Sequence, residues 1–200
     1  MDYEGLVALL VFIIPMCFTP GPNNMLCAAH GSQHGFRATI PLTIGMVVGW
    51  SSLGLAVGMA TVFIEDNQQV FLLLTYIGAA YIAYLGYKIA TQDPTKSKAD
   101  TETERLGFTT GLVLQIVNGK AWVHFLVMMT SWGTLFGTGF ASKAILVGIN
   151  AIAGYPAVLT WAVFGVGLSK IFSTPEKARI LNGLLGFSLF AVAVWISLPF

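Results

Sequence analysis

"GLVALLVFIIPMCFTPGPNNMLCAAHGSQHGF" (residues 5–36) holds no Asp, Glu, Lys or Arg, yet "TPGPNN" (19–24) puts two prolines, a glycine and two asparagines across its middle. As one straight helix the stretch would run about 48 Å, well beyond a hydrocarbon core of about 30 Å, so it must break, tilt or leave the bilayer. Pro20 and Pro22 supply the break, since each lacks an N–H and displaces the carbonyl of the preceding turn. Backbone groups freed in lipid cost several kcal/mol apiece unless protein or cavity water satisfies them, and Thr19, Asn23 and Asn24 stand beside the break to do so. A helix restarting at Pro22 or Asn23 would aim its N–H groups and positive dipole end at the gap, which suits a carboxylate. The structural alternative is a proline kink packed between helices, with the amides as interhelical hydrogen bonds.

The rest of the chain places this break inside a membrane protein. Of 200 residues, 56% are hydrophobic and only 10% charged, against about 25% charged in soluble domains. Charge-free runs predict an all-α fold of six spans at about 5–30, 38–64, 69–89, 107–131, 142–167 and 179–199. A secretory signal would begin with basic residues, whereas this chain begins with Asp2 and Glu4, so the first segment is read as a mature span. Net charge of +1 offers no basic patch for nucleic acid, and the short loops leave no room for a soluble catalytic domain. No metal site and no cofactor are expected. Eight of the ten Lys and Arg residues follow spans one, three and five, and Lys143 alone lies on the other side. By the positive-inside rule both termini face outward.

A hydrophilic linker (91–106) divides the chain, read as a single transmembrane domain, into repeat one (1–90) and repeat two (107–200). Three spans on each side force the halves into inverted orientations, a common transporter plan. The disrupted helix is the first of each half: "TPGPNN" in span one and "QIVNGKAW" (115–122) in span four. Interrupted segments at matching positions of inverted halves point to a midplane substrate site. "GAAYIAYLGYK" (78–88) and "GLLGFSLFAVA" (183–193) add a weaker likeness between spans three and six.

Lys120 sharpens this. It sits about 17–20 Å of helix from either end of span four, while a lysine stem reaches only about 6 Å. An ammonium at the bilayer centre costs about 2.5–3.5 kcal/mol on insertion scales and usually marks a functional cavity. With no Asp or Glu inside the six spans, the counter-ion is read as a substrate carboxylate; helix-end carbonyls, water or a neutral lysine are the structural alternatives. Gln115, Asn118 and Trp122 share one helical face and Lys120 and His124 another, and a break at Asn118-Gly119 would let both reach one cavity. His124 is read first as a hydrogen-bonded packing residue, with proton relay as its functional alternative. His30 and His34 are expected at the interface, and Trp50, Trp132, Trp161 and Trp195 in packing or interfacial roles. A small-residue stripe in span two (Gly45, Gly49, Ser52, Ala56, with Gly54 and Gly58) serves either intrachain packing or a homo-oligomer. Asn150, Gly154 and Pro156 predict a kink in span five that contributes to the cavity or to gating.

"TPGPNN", "HGFR" (34–37), "GMVVG" (45–49), "GAAYIAYLGYK" and the N-x-K-A element at 118–121 together resemble the lysine exporter (LysE/RhtB-type) family of bacterial amino-acid efflux proteins. "TPGPNN" and the short linker are most similar to the branch containing exporters of cysteine and O-acetylserine. The resemblance implies a multi-pass protein of the bacterial inner membrane that exports amino acids, driven by proton exchange, and is not an enzyme. It puts Pro20, Gly21, Pro22 and Asn23 at the first helix break and Asn118, Gly119 and Lys120 at the second. Many relatives read N-P-K where this chain has Asn118-Gly119-Lys120, so the flexibility is kept without the fixed kink. Many also carry Asp where Asn23 stands; an amide cannot titrate, which leaves Lys120 or His124 for proton coupling. Residue chemistry and resemblance combined make Asn23, Asn24, Gln115, Asn118 and Lys120 the expected substrate contacts. Two other functions are consistent with the residues: a membrane thiol oxidoreductase using Cys17 and Cys27, and a passive amino-acid channel.

Overall fold

The computed structural model describes residues 3–60, 68–91 and 105–197, and every regular element in them is a helix. In chain order these are α1 (Tyr3–Phe18), α2 (Pro22–His34), α3 (Phe36–Met59), α4 (Gln68–Ala90), α5 (Phe108–Ile116), α6 (Gly119–Trp132), α7 (Phe140–Ile171) and α8 (Pro175–Ser197). The expected span one is thus two helices, bent by 43° where Thr19, Pro20 and Gly21 intervene, and the expected span four is two helices bent by 62° at Val117-Asn118. Pro20 and Gly21 lie in the first break with Pro22 opening α2, while the second break falls one residue before the expected Asn118-Gly119, with Gly119 opening α6. α3 and α7 are long and apolar enough to cross a membrane, and each bent pair adds a further candidate span. The order bent pair, long helix, 23-residue helix therefore occurs twice. Residues 61–64 of expected span two, residues 92–104 of the linker and residues 198–199 of span six lie outside the described residues.

Two apolar clusters make the core. One holds Met25 to Ala29 of α2, Leu42 and Met46 of α3, Leu114 of α5, Ala162 of α7, and α4 with α8. The other holds Leu9 and Ile13 of α1, Leu53 and Val57 of α3, Ala121 to Met129 of α6, and Leu146 and Val147 of α7. Each bent pair passes from one cluster to the other at its break, and α3 and α7 cross at residues 46–53 and 147–162. The helix breaks thus mark the boundary between the two apolar halves.

Glycines set how the first half closes. A Cβ at Gly165 would lie 1.9 Å from the Ala28 carbonyl oxygen, and one at Gly31 would lie 2.4 Å from that of Ala162, so α2 and α7 meet backbone to backbone. α3 and α5 do the same, with Gly45 against Phe108 and Gly111 against Leu42. Gly86 and Gly186 bring α4 onto α8. Such contacts are how helices associate where lipid removes the hydrophobic drive. The expected stripe on α3 is therefore divided: Gly45 and Gly49 are intrachain contacts to α5, Gly54 seats the Phe125 ring, and Ser52 and Ala56 are exposed. Proline does not interrupt α7, which runs unbroken through Pro156.

Candidate functional site

A cavity of about 60 Å³ opens at the boundary between the two clusters. That is several times the roughly 10–15 Å³ needed to admit a single water. Its wall includes Met16 and Cys17 of α1, Gly21 to Asn24 at the start of α2, Trp50 of α3, Asn118 and Lys120 at the start of α6, and Asn150 and Gly154 of α7. No Asp or Glu lines it.

The first break is satisfied carbonyl by carbonyl. Thr19 Oγ1 donates to the Met16 carbonyl at 3.1 Å, Asn24 Nδ2 to those of Cys17 (2.7 Å) and Thr19 (2.9 Å), and Trp161 Nε1 to that of Phe18 (3.1 Å). Lys120 Nζ donates to the Thr19 carbonyl at 3.2 Å and to the Thr19 hydroxyl at 3.0 Å. Of the partners weighed for this ammonium, a helix-end carbonyl is the one it has here. At the second break Trp122 Nε1 covers the Ile116 carbonyl at 2.7 Å. Carbonyls without donors are costly in lipid, and these side chains supply donors to those of Met16, Cys17, Phe18, Thr19 and Ile116.

The helix starts contrast with these ends. Neither α2, behind Gly21 and with Pro22 at its first position, nor α6, behind Asn118, has a side-chain cap. Both uncapped starts form the wall of the one cavity, with the Lys120 ammonium between them, and the N–H groups and dipoles there favour negative charge. Gly21 makes room for this: a Cβ there would sit 3.0 Å from both Cδ and Nζ of Lys120.

The five expected contact residues separate into two roles. Asn23, Asn24, Asn118 and Lys120 line the cavity, while Gln115 is fully buried behind it. Gln115 and Asn23, 92 residues apart, exchange amide hydrogen bonds of 2.9 and 3.2 Å, and Asn118 Nδ2 approaches both at 3.3 and 3.4 Å. His124 is absent from the cavity lining. It is buried, stacked on Phe12 at 5.1 Å between ring centroids and 2.6 Å from Asn150 Nδ2. The Trp50 indole donates to Asn150 Oδ1 at 2.6 Å. An indole only donates, so Asn150 must turn its nitrogen to His124, whose Nε2 accepts.

Comparison with known proteins adds the family. The sequence profile of the LysE type translocators matches residues 14–198. This chain belongs to the LysE-type translocator family. The translocator is similar to the cysteine/O-acetylserine efflux proteins of Escherichia coli O1:K1, at 30% identity over 96% of both chains. Those of Salmonella paratyphi A and Salmonella typhimurium LT2 are similar at 31% identity over 96% of both chains. No solved structure matches the fold.

The translocator is a polytopic membrane transport protein and not an enzyme, which removes the thiol oxidoreductase reading. Cys17 and Cys27 are free thiols, Cys17 on the cavity wall and Cys27 buried against Met46. Other expectations gain detail. His30, expected at the interface, is buried within the protein, bonded to Thr39 and accepting the Leu106 N–H. Trp50 and Trp161 are more than packing residues, since each donates a hydrogen bond at the site. Trp161 could have been suspected from the carbonyls that a double proline must free; the Trp50 to Asn150 contact left no signal in the sequence.

Proposed function

We propose that the protein is a secondary active exporter of small amino acids, with cysteine and O-acetylserine as its first candidates from the names of its relatives. The single observation that carries this reading is the convergence of two uncapped helix starts and the Lys120 ammonium on one cavity without a carboxylate. A substrate carboxylate would take the Lys120 ammonium from Thr19 and accept from the starts of α2 and α6. Charge-assisted hydrogen bonds of this kind contribute about 1.5–3 kcal/mol each. The six spans form two inverted three-helix repeats, with α4 and α8 as the third and sixth, both termini outside and the basic loops cytoplasmic. The repeated helix order and the distribution of Lys and Arg support that topology. Export is by exchange for protons, and the exchanging group is Lys120, because His124 stands off the cavity with its Nε2 already held by Asn150.

Efflux from proteoliposomes loaded with labelled amino acids, under an imposed pH gradient, tests the reading. Wild type should release a small amino acid selectively and against its gradient. Lys120→Met should insert and fold yet lose at least ~10-fold in transport, the value of one charge-assisted hydrogen bond. Release only down a gradient would establish a passive channel instead, and wild-type transport by Lys120→Met would remove this site.

A further inference from the structure

The hydrogen bonds behind the cavity fix which atom of Asn118 is left for a ligand. Gln115 Nε2 donates to the Gly111 carbonyl at 2.9 Å, and a carbonyl only accepts, so the orientation of the Gln115 amide is set by the backbone of α5. Its Oε1 then faces Asn23 Nδ2, and its Nε2 faces Asn23 Oδ1. Asn118 can approach these two oxygens only with its nitrogen, because the reverse orientation would set oxygen against oxygen twice. One backbone carbonyl therefore orients three amides in sequence and turns Asn118 Oδ1 away from them.

That oxygen has no hydrogen-bond partner, and it is the one buried side-chain polar atom among the described residues in this condition. Asn118 is 1% exposed and lines the cavity. An asparagine at a helix start normally spends Oδ1 on the N–H groups of the first turn, and here it does not. A buried acceptor facing neither its own helix nor the amide triad is a position prepared for a donor.

We propose that Asn118 Oδ1 accepts an N–H from the α-ammonium of the substrate, which rests on the carboxylate site proposed above. The two groups of an α-amino acid lie on one carbon, so their sites must adjoin, and Asn118 immediately precedes α6, whose start and Lys120 hold the carboxylate. With no acidic residue on the wall, a neutral oxygen is what the cavity can offer an ammonium. The ligand class is accordingly the α-amino acid with a free amine; carboxylates of the same size that lack it are discriminated against.

Cys17 on the same wall reports occupancy without requiring transport. In purified full-length Cys27→Ser protein, protection of Cys17 from a small maleimide is titrated with O-acetylserine and with 3-acetoxypropionate, which lacks only the amine. O-acetylserine should protect at about 10- to 100-fold lower concentration, as a buried hydrogen bond to a charged donor implies. Asn118→Ala should bring that ratio close to one, and Asn118→Asp, which retains an acceptor, should keep or raise it. An unchanged ratio in Asn118→Ala overturns the assignment while leaving the carboxylate site standing. Failure of every small amino acid to protect wild-type Cys17 overturns the carboxylate site and this inference with it.

Discussion

Gly165→Ala should destabilise the protein even though alanine is the better helix former. On α7 the added methyl would lie 1.9 Å from the Ala28 carbonyl oxygen, where ordinary contact begins at 3.4 Å. Backbone cannot rotate aside as a side chain can, so α2 and α7 must separate by about 1.5 Å, and overpacking of this kind costs about 1–3 kcal/mol. Gly167 is the control two residues along the same helix: a Cβ there meets nothing within 4 Å, so Gly167→Ala gains up to about 1 kcal/mol of helix propensity with no clash. Thermal unfolding in detergent, followed by intrinsic fluorescence, should move down by several degrees for the first variant and stay level or rise for the second. Equal shifts of the same sign would refute the reasoning, because propensity would then outweigh the helix contact on which the packing of this half rests.

Three further substitutions test the cavity. Gly21→Ala places a methyl 3.0 Å from the flexible end of Lys120, so the protein should stay folded while the KM for the exported amino acid rises by about 10-fold as the ammonium is displaced, measured in proteoliposomes. Asn24→Leu withdraws the donor from the Cys17 and Thr19 carbonyls and should cost about 1–3 kcal/mol, read as a lower unfolding temperature or reduced yield of inserted protein. His124→Gln keeps an acceptor toward Asn150, so stability should change by less than about 1 kcal/mol and, on the proposed exchange at Lys120, transport should still respond to the pH gradient; loss of that response in a folded variant would move the proposed proton exchange to His124.

What could be read along the chain was local. Two prolines within three residues must break a helix, and a lysine so far from both ends of its span must find a cavity, so both breaks and Lys120 were visible before any geometry. Helical periodicity relates a residue to neighbours three and four positions away and is silent on partners a hundred positions off. Asn23 with Gln115, Lys120 with Thr19 and Trp161 with Phe18 are all of that distant kind. Gln115 shows the consequence: its residue type suited a substrate contact, but only the fold shows that both ends of its amide are already committed. The burial of His30 was hidden in a similar way, since its partners Thr39 and Leu106 come from the α3 start and the chain leading into α5.

The two ends of the molecule also differ in what opening them would require. Around the second cluster the contacts are side chains: Gly54 against the Phe125 ring, Gly58 beside Met129, Phe12 stacked on His124. Side chains can change rotamer one at a time. At the end where Lys88, Arg105 and Lys170 lie, the closest α2–α7 and α3–α5 contacts are Gly31 and Gly165 on backbone and Gly45 and Gly111 on backbone, and at these points no side chain can move aside. Transport by alternating access through that end therefore requires α2 to part from α7, and α5 from α3, as rigid helices. The hinges available for this are the two breaks at 19–21 and 117–118, and these are also the edges of the cavity. A ligand that bridges the start of α2 to the start of α6 would consequently hold both hinges at once, which is how binding at the cavity would bias which end is closed.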